Sequence, residues 1–160
     1  RARYGAHMVA AVQFFDVVLF FHILAVVLAF GPSFAYAVFF AVAARTGPGA
    51  LPAVGRGVLA WDRGVGTLAM IVILASGIYL TADRFEFGDF FVSWGMAAIL
   101  LLFALVHGFF IPSTRRYVEA AEAGREEEAQ RIADRLNRVG PIAGLVVVLT
   151  IYVMTAKPFA

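Results

Sequence analysis

Four apolar stretches, at residues 9–44, 64–82, 90–112 and 140–156, fill most of the 160-residue chain. Each is long enough to cross a bilayer, whose hydrocarbon core takes roughly 20 helical residues. The expectation is an all-α fold, a four-helix transmembrane bundle forming one domain over residues 9–160. Hydrophobic residues make up 62% of the chain and mean hydropathy is +0.85, against roughly 45–50% apolar content in soluble domains. The lipid bilayer is therefore the first partner of this surface. There is no cysteine, which removes disulfides, thiolate zinc sites, iron–sulfur clusters and thiol catalysis. Any metal would rest on His, Met, Asp or Glu.

The sequence pI is near 9.3, but the arginines sit in two loops rather than on one basic face, so nucleic acid is not the expected partner. Arg45, Arg56 and Arg63 follow span 1, and Arg115, Arg116, Arg125, Arg131, Arg135 and Arg138 follow span 3. The other side holds Arg1, Arg3, Arg84 and Lys157. By the positive-inside rule the Arg-rich loops face the cytoplasm and both termini face out, in the inner (plasma) membrane. Gly5-Ala6-His7-Met8 resembles a tag remnant, so residues 1–8 carry no functional weight. Span 1 is too long, and carries Asp16 and His22, for a cleavable signal.

Within span 1, Gly31-Pro32 predicts a bend, because Pro32 cannot donate to the carbonyl of Leu28. Trp61-Asp62-Arg63 reads as the interfacial start of span 2, and Trp94 as an anchor near the start of span 3. Span 3 is expected to close at Pro112. Residues 113–138 predict a cytoplasmic helical excursion broken at Gly124, with Ala129, Ile132, Ala133 and Leu136 as an apolar stripe that lies on the bundle or runs into span 4. Spans 2 and 4 share residues at one offset, among them Gly66 with Gly140 and Thr81 with Thr155, as a duplicated hairpin or a narrow apolar alphabet would produce.

Small residues spaced by four mark faces where helices in lipid approach closely. Ala25, Ala29, Ser33 and Ala37 in span 1, Ala97, Ala104 and Gly108 in span 3, and Gly140 and Gly144 in span 4 are read as interior. The same rows serve contacts between chains equally well, leaving a homo-oligomer open. His22 and His107 adjoin these rows and are expected inside, where an ionisable group is a functional hypothesis by default. The plainer reading is that His22 bonds a carbonyl or hydroxyl on a neighbouring helix. Asp16 lies nearer the surface, with a structural role or one lining the mouth of a polar path.

Two cofactor readings follow. His22 and His107 could each ligate haem, but the apolar runs place them roughly 15 Å apart in depth, whereas two axial nitrogens each sit about 2 Å from one iron. His22, Met96 and Met154 all tend to the outer half, and soft thioethers with imidazole suit copper(I); methionine in an apolar span is more often packing. No phosphate loop, Ser-His-Asp set or paired membrane carboxylate points to an enzyme.

Phe21-His22-Ile23-Leu24 with Phe30-Gly31-Pro32 resembles the copper-resistance protein D-like group of small membrane proteins. Asn137-Arg138-Val139-Gly140-Pro141, followed by an apolar span and Tyr152-Val153-Met154-Thr155-Ala156-Lys157-Pro158, is similar to the close of a predicted integral-membrane family in that group whose function is not established. The resemblance implies a four-helix membrane bundle with haem b or copper at His22, for electron transfer with a redox partner or for metal handling. A related haem-carrying oxidase has an Arg and a Tyr-His after its first-span histidine, which residues 35–44 lack, so oxidase activity is not implied. The alternative class is a metal-free transporter or channel subunit, or a structural assembly partner, in which Asp16 and His22 line a polar path or join helices.

Overall fold

The computed structural model of the protein describes residues 13–47 and 49–158; the expectation for residues 1–8 lies outside them. The described residues are helical throughout, apart from short turns, and include no strand. Helices α1 (Phe14–Phe30), α2 (Ser33–Thr46), α3 (Ala50–Trp61), α4 (Thr67–Arg84), α5 (Phe90–Leu105), α6 (Ile111–Glu122) and α7 (Glu126–Ala156) follow in order. They join end to end into four antiparallel rods, Phe14–Thr46, Ala50–Arg84, Phe90–Glu122 and Glu126–Ala156, each long and apolar enough to cross a membrane. Large apolar side chains such as Phe20, Val27, Leu68, Leu100, Leu145 and Tyr152 cover the outside.

The rods outrun the apolar stretches. Pro112 does not close span 3: it occupies the first turn of α6, just after a π-helical turn over Val106–Phe110 in which the amide of Ile111 reaches back five residues to the carbonyl of Val106. Shifting the ladder from i−4 to i−5 is a way to seat a proline without ending the helix. The segment after Pro112 continues rods three and four, its second half running into span 4 as one of the two expected arrangements of the 129–136 stripe has it. The reversal between them is made at Gly124, whose φ of 68° is the left-handed geometry that glycine adopts without a Cβ clash.

The rods pack one against the next in chain order. Helix α1 lies along α4, α2 along α3, α3 along α6, α4 along α5, and α7 along α5 and α6; Gly144 of α7 faces Phe34 of α2. One end of the bundle holds the C-terminus of α2, the N-terminus of α3 and the reversal at 123–125, with Arg56 paired to Glu122; this is the Arg-rich end. The terminal end holds Gln13, the 85–89 turn and Lys157, whose ammonium sits 4.4 Å from the Phe85 ring.

Three core clusters stack along the axis: Phe91, Val92 and Val153 at the terminal end, Ala25, Ala69, Met70, Ile73 and Ile99 in the middle, and Leu59, Tyr117, Val118, Ala120 and Ala129 in the Arg-rich half. The small-residue rows place the interior only in part. Ala25 is buried, but Ser33 and Ala37 are exposed beyond the bend at Gly31-Pro32, which re-aims the face. In rod three the interior small residues are Gly95 and Ala98; Ala97, Ala104 and Gly108 face outward. Bulky Ile99 and Leu102 fill that interior face instead.

Every rod is interrupted at about the same height. Gly31-Pro32 separates α1 from α2, π-helical turns occupy Asp62–Gly66 and Val106–Phe110, and Pro141 lies inside α7. Each break stands roughly 12 to 15 residues, about 20 Å, from the Arg-rich reversals. On the other side, α1, α4 and α5 run 17, 18 and 16 residues, or about 26 Å at 1.5 Å per residue. That terminal half alone nearly matches a hydrocarbon core of about 30 Å.

Candidate functional site

At the level of the breaks, where packing along each helix is least regular, polar side chains from three rods converge. Tyr36 of α2 donates its phenol to the Asp62 carboxylate at 2.8 Å. Asp62 opens the first π-helical turn, and its backbone carbonyl accepts from the Thr67 hydroxyl at 2.7 Å. The Thr67 oxygen is in turn 3.1 Å from His107 Nε2, in the second π-helical turn. His107 Nδ1 donates to the Phe103 carbonyl at 3.0 Å, and its ring stacks on Phe103 with centroids 4.1 Å apart. All four side chains are half-buried.

The hydroxyl of Thr67 carries one proton, and this fixes what the cluster can do. With Nδ1 of His107 held as a donor, a neutral imidazole must accept at Nε2, drawing the threonine proton away from the Asp62 carbonyl. A charged imidazole donates at Nε2 instead, and Thr67 turns its proton back to that carbonyl. Charge on His107 is thus coupled to the rotor of Thr67 and, through the π-helical turn, to the backbone at Asp62. No arginine or lysine pairs with the Asp62 carboxylate among the described residues.

Deeper in the terminal half, His22 of α1 is bound to α4: its Nδ1 lies 2.8 Å from Ser76 Oγ. Ser76 sends its own proton to the Val72 carbonyl at 2.5 Å, so its oxygen is left to accept and His22 is the donor at Nδ1. The ring lies beside Gly77 of α4, with a built Cβ 3.5 Å from His22 Cε1. The plainer expectation for His22, a hydroxyl on a neighbouring helix, describes this contact.

Asp16 sits at the terminal end as the third residue of α1, exposed, and accepts from the backbone amide of Gln13 at 3.0 Å. This is a helix-capping contact. Beside it, Arg84 donates to the Gln13 side chain and covers the Phe15 ring at 4.0 Å.

The structure does not gather the other expected ligands around His22. Met96 and Met154 both pack on Phe91, Val92 and Val153, with the methyl of Met154 pressed on Gly95. His22 and His107 are anchored nine residues apart on α4, at Ser76 and Thr67, a rise of about 13 Å along that helix. Among the described residues no group of three or more His, Asp or Glu side chains is placed to hold a metal ion.

The sequence reading missed Asp62, Tyr36 and Thr67. Asp62 follows a tryptophan and precedes an arginine, which looks like the rim of a span. The signal pointing the other way was the apolar run Leu51 to Trp61, which lengthens the rod on the far side of Asp62.

No curated protein and no solved structure matches this chain. Residues 16–158 match the model of a family described as predicted integral membrane protein (DUF2269). The chain belongs to that family.

Proposed function

Starting from a member of an integral-membrane family, we propose that the protein is a metal-free transporter or channel component that passes protons along the seam between α1 and α4. The observation that carries this reading is Asp62, a half-buried carboxylate whose side-chain partner is the neutral phenol of Tyr36 rather than a cation. A half-buried carboxylate with no cation beside it is costly even at the edge of the hydrocarbon core, and a functional role is one reason to keep it. Polar groups stand at three heights on this seam. Asp16 is at the terminal mouth, His22 with Ser76 lies about 9 Å further in, and Asp62, Thr67 and His107 stand about 26 Å from the terminal end. Water entering between these stations would complete the path. The Arg-rich end is assigned to the cytoplasm of the plasma membrane by the positive-inside rule.

The test is proton flux into proteoliposomes holding a pH-sensitive dye. Asp62→Asn keeps an acceptor for Tyr36 but cannot titrate, so flux is expected to fall to that of empty liposomes while helicity is unchanged. Wild-type flux in folded Asp62→Asn would sink the reading.

One observation favours the second reading, haem b or copper at His22. Donation from Nδ1 to Ser76 leaves Nε2 as the lone pair, the arrangement by which a neighbour orients a metal-ligating imidazole. Such a site would rest on His22 alone, because the spacing of the anchors on α4 does not fit one iron shared by His22 and His107. Absorption spectra of the purified protein, oxidised and reduced, with metal analysis on the same sample, test it. A Soret band or stoichiometric copper that disappears in His22→Ala would establish this reading over the first.

A further inference from the structure

Between α6 and α7, just beyond the second π-helical turn on the Arg-rich side, lies a recess of about 210 Å³ walled by Gly108, Pro112, Ser113, Arg116, Ile132 and Arg135. Its origin is local. The π-helical turn widens rod three at Gly108, and a Cβ built there meets nothing within 4 Å.

What marks this recess is that donors without a carboxylate partner from two helices border one hollow. Arg115, Arg125 and Arg56 are paired with Glu119, Glu128 and Glu122, whereas Arg116 and Arg135 have no carboxylate partner among the described residues. The hydroxyl of Ser113 likewise has no hydrogen-bond partner there. Two guanidinium groups and a hydroxyl donor, all uncommitted, thus border a floor of Pro112 and Ile132. Such a set suits a group that is anionic at one end and apolar at the other.

Height identifies the occupant. The terminal half of the bundle takes up about 26 Å, most of the hydrocarbon thickness. Gly108 lies at the edge of that half, and Arg116 two turns further out, where lipid phosphates lie. The geometry points to a binding site for the head group of an anionic phospholipid, with its phosphodiester between Arg116 and Arg135 and its glycerol end against Pro112 and Ile132. Basic pockets between helices at this level recognise such head groups. The site stands on residues outside the proton path and does not depend on it.

The experiment is native mass spectrometry of the full chain in detergent, titrated with phosphatidylglycerol, phosphatidylcholine or inorganic phosphate. Wild type is expected to retain phosphatidylglycerol over phosphatidylcholine, and Arg116→Gln/Arg135→Gln to bind it about 30-fold more weakly. Arg131→Gln, outside the recess, is expected to bind as wild type does. Equal retention of the two lipids, or displacement of phosphatidylglycerol by inorganic phosphate at equal concentration, would overturn the assignment. If the double variant does not fold, Arg135→Gln alone decides, since that side chain is exposed; unchanged lipid retention there overturns the proposal too.

Discussion

The indole N–H of Trp61 donates to the carbonyl oxygen of Leu28 at 3.3 Å, the acceptor that an amide at position 32 would have used had it not been proline. A bend in rod one is thus closed by a donor from rod two. Trp61→Phe should leave that carbonyl unpaired in the bundle and destabilise it by about 1 kcal/mol. Pro32→Ala supplies a backbone donor, so the loss from Trp61→Phe should shrink in the Pro32→Ala background. Unfolding titrations in mixed micelles, run as a double-mutant cycle, read the difference.

Tyr36 and Asp62 form a pair in which each depends on the other. Tyr36→Phe strips the carboxylate of its side-chain donor and should cost about 1–3 kcal/mol, whereas removing both members in Tyr36→Phe/Asp62→Leu should cost less than the sum of the single changes. The same micelle titration measures it, and additive losses would show that the two do not interact.

His22 and Ser76 join α1 to α4. His22→Gln keeps a side-chain donor toward Ser76 and should stay within about 0.6 kcal/mol of wild type, while His22→Ala should lose up to about 1.7 kcal/mol. Ser76→Ala should make the two His22 variants equal in stability. Thermal unfolding followed by circular dichroism distinguishes these outcomes.

Two glycines face partners of different stiffness. A Cβ at Gly55 meets Val118 Cγ2 at 2.5 Å, and one at Gly95 meets the end of Met154. Valine is locked at χ1 and methionine has three soft torsions. Gly55→Ala should therefore destabilise by about 1–3 kcal/mol and be relieved by Val118→Ala, whereas Gly95→Ala should be nearly silent in the same unfolding assay.

Much of the architecture was legible in the residues. Four apolar runs, a bend at Gly31-Pro32 and a reversal at Gly124 follow from hydropathy and local backbone chemistry, and each stands in the structure. What local chemistry could not supply was the behaviour of proline beside a π-helical turn. Pro112 reads as a stop, yet the preceding turn absorbs it and the rod goes on to Glu122. The candidate site was hidden for a different reason. The partner of Asp62 is 26 positions away in sequence, and the small-residue row that pointed to His107 lies on the outer face of its rod. His107, within the π-helical turn, nonetheless reaches Thr67 of rod two. His22 was visible, because a lone imidazole in an apolar run stands out; its bond to Ser76 is tertiary.

The four breaks at one height also have a mechanical meaning. A helix resists torsion through its continuous ladder of i−4 bonds. Three rods break that ladder at this height and Pro141 removes one rung from the fourth, so resistance to torsion should be least here, as in a drive shaft at its coupling. A twist imposed on the Arg-rich half would concentrate there, beside Asp62 and His107, rather than in the continuous helices of the terminal half.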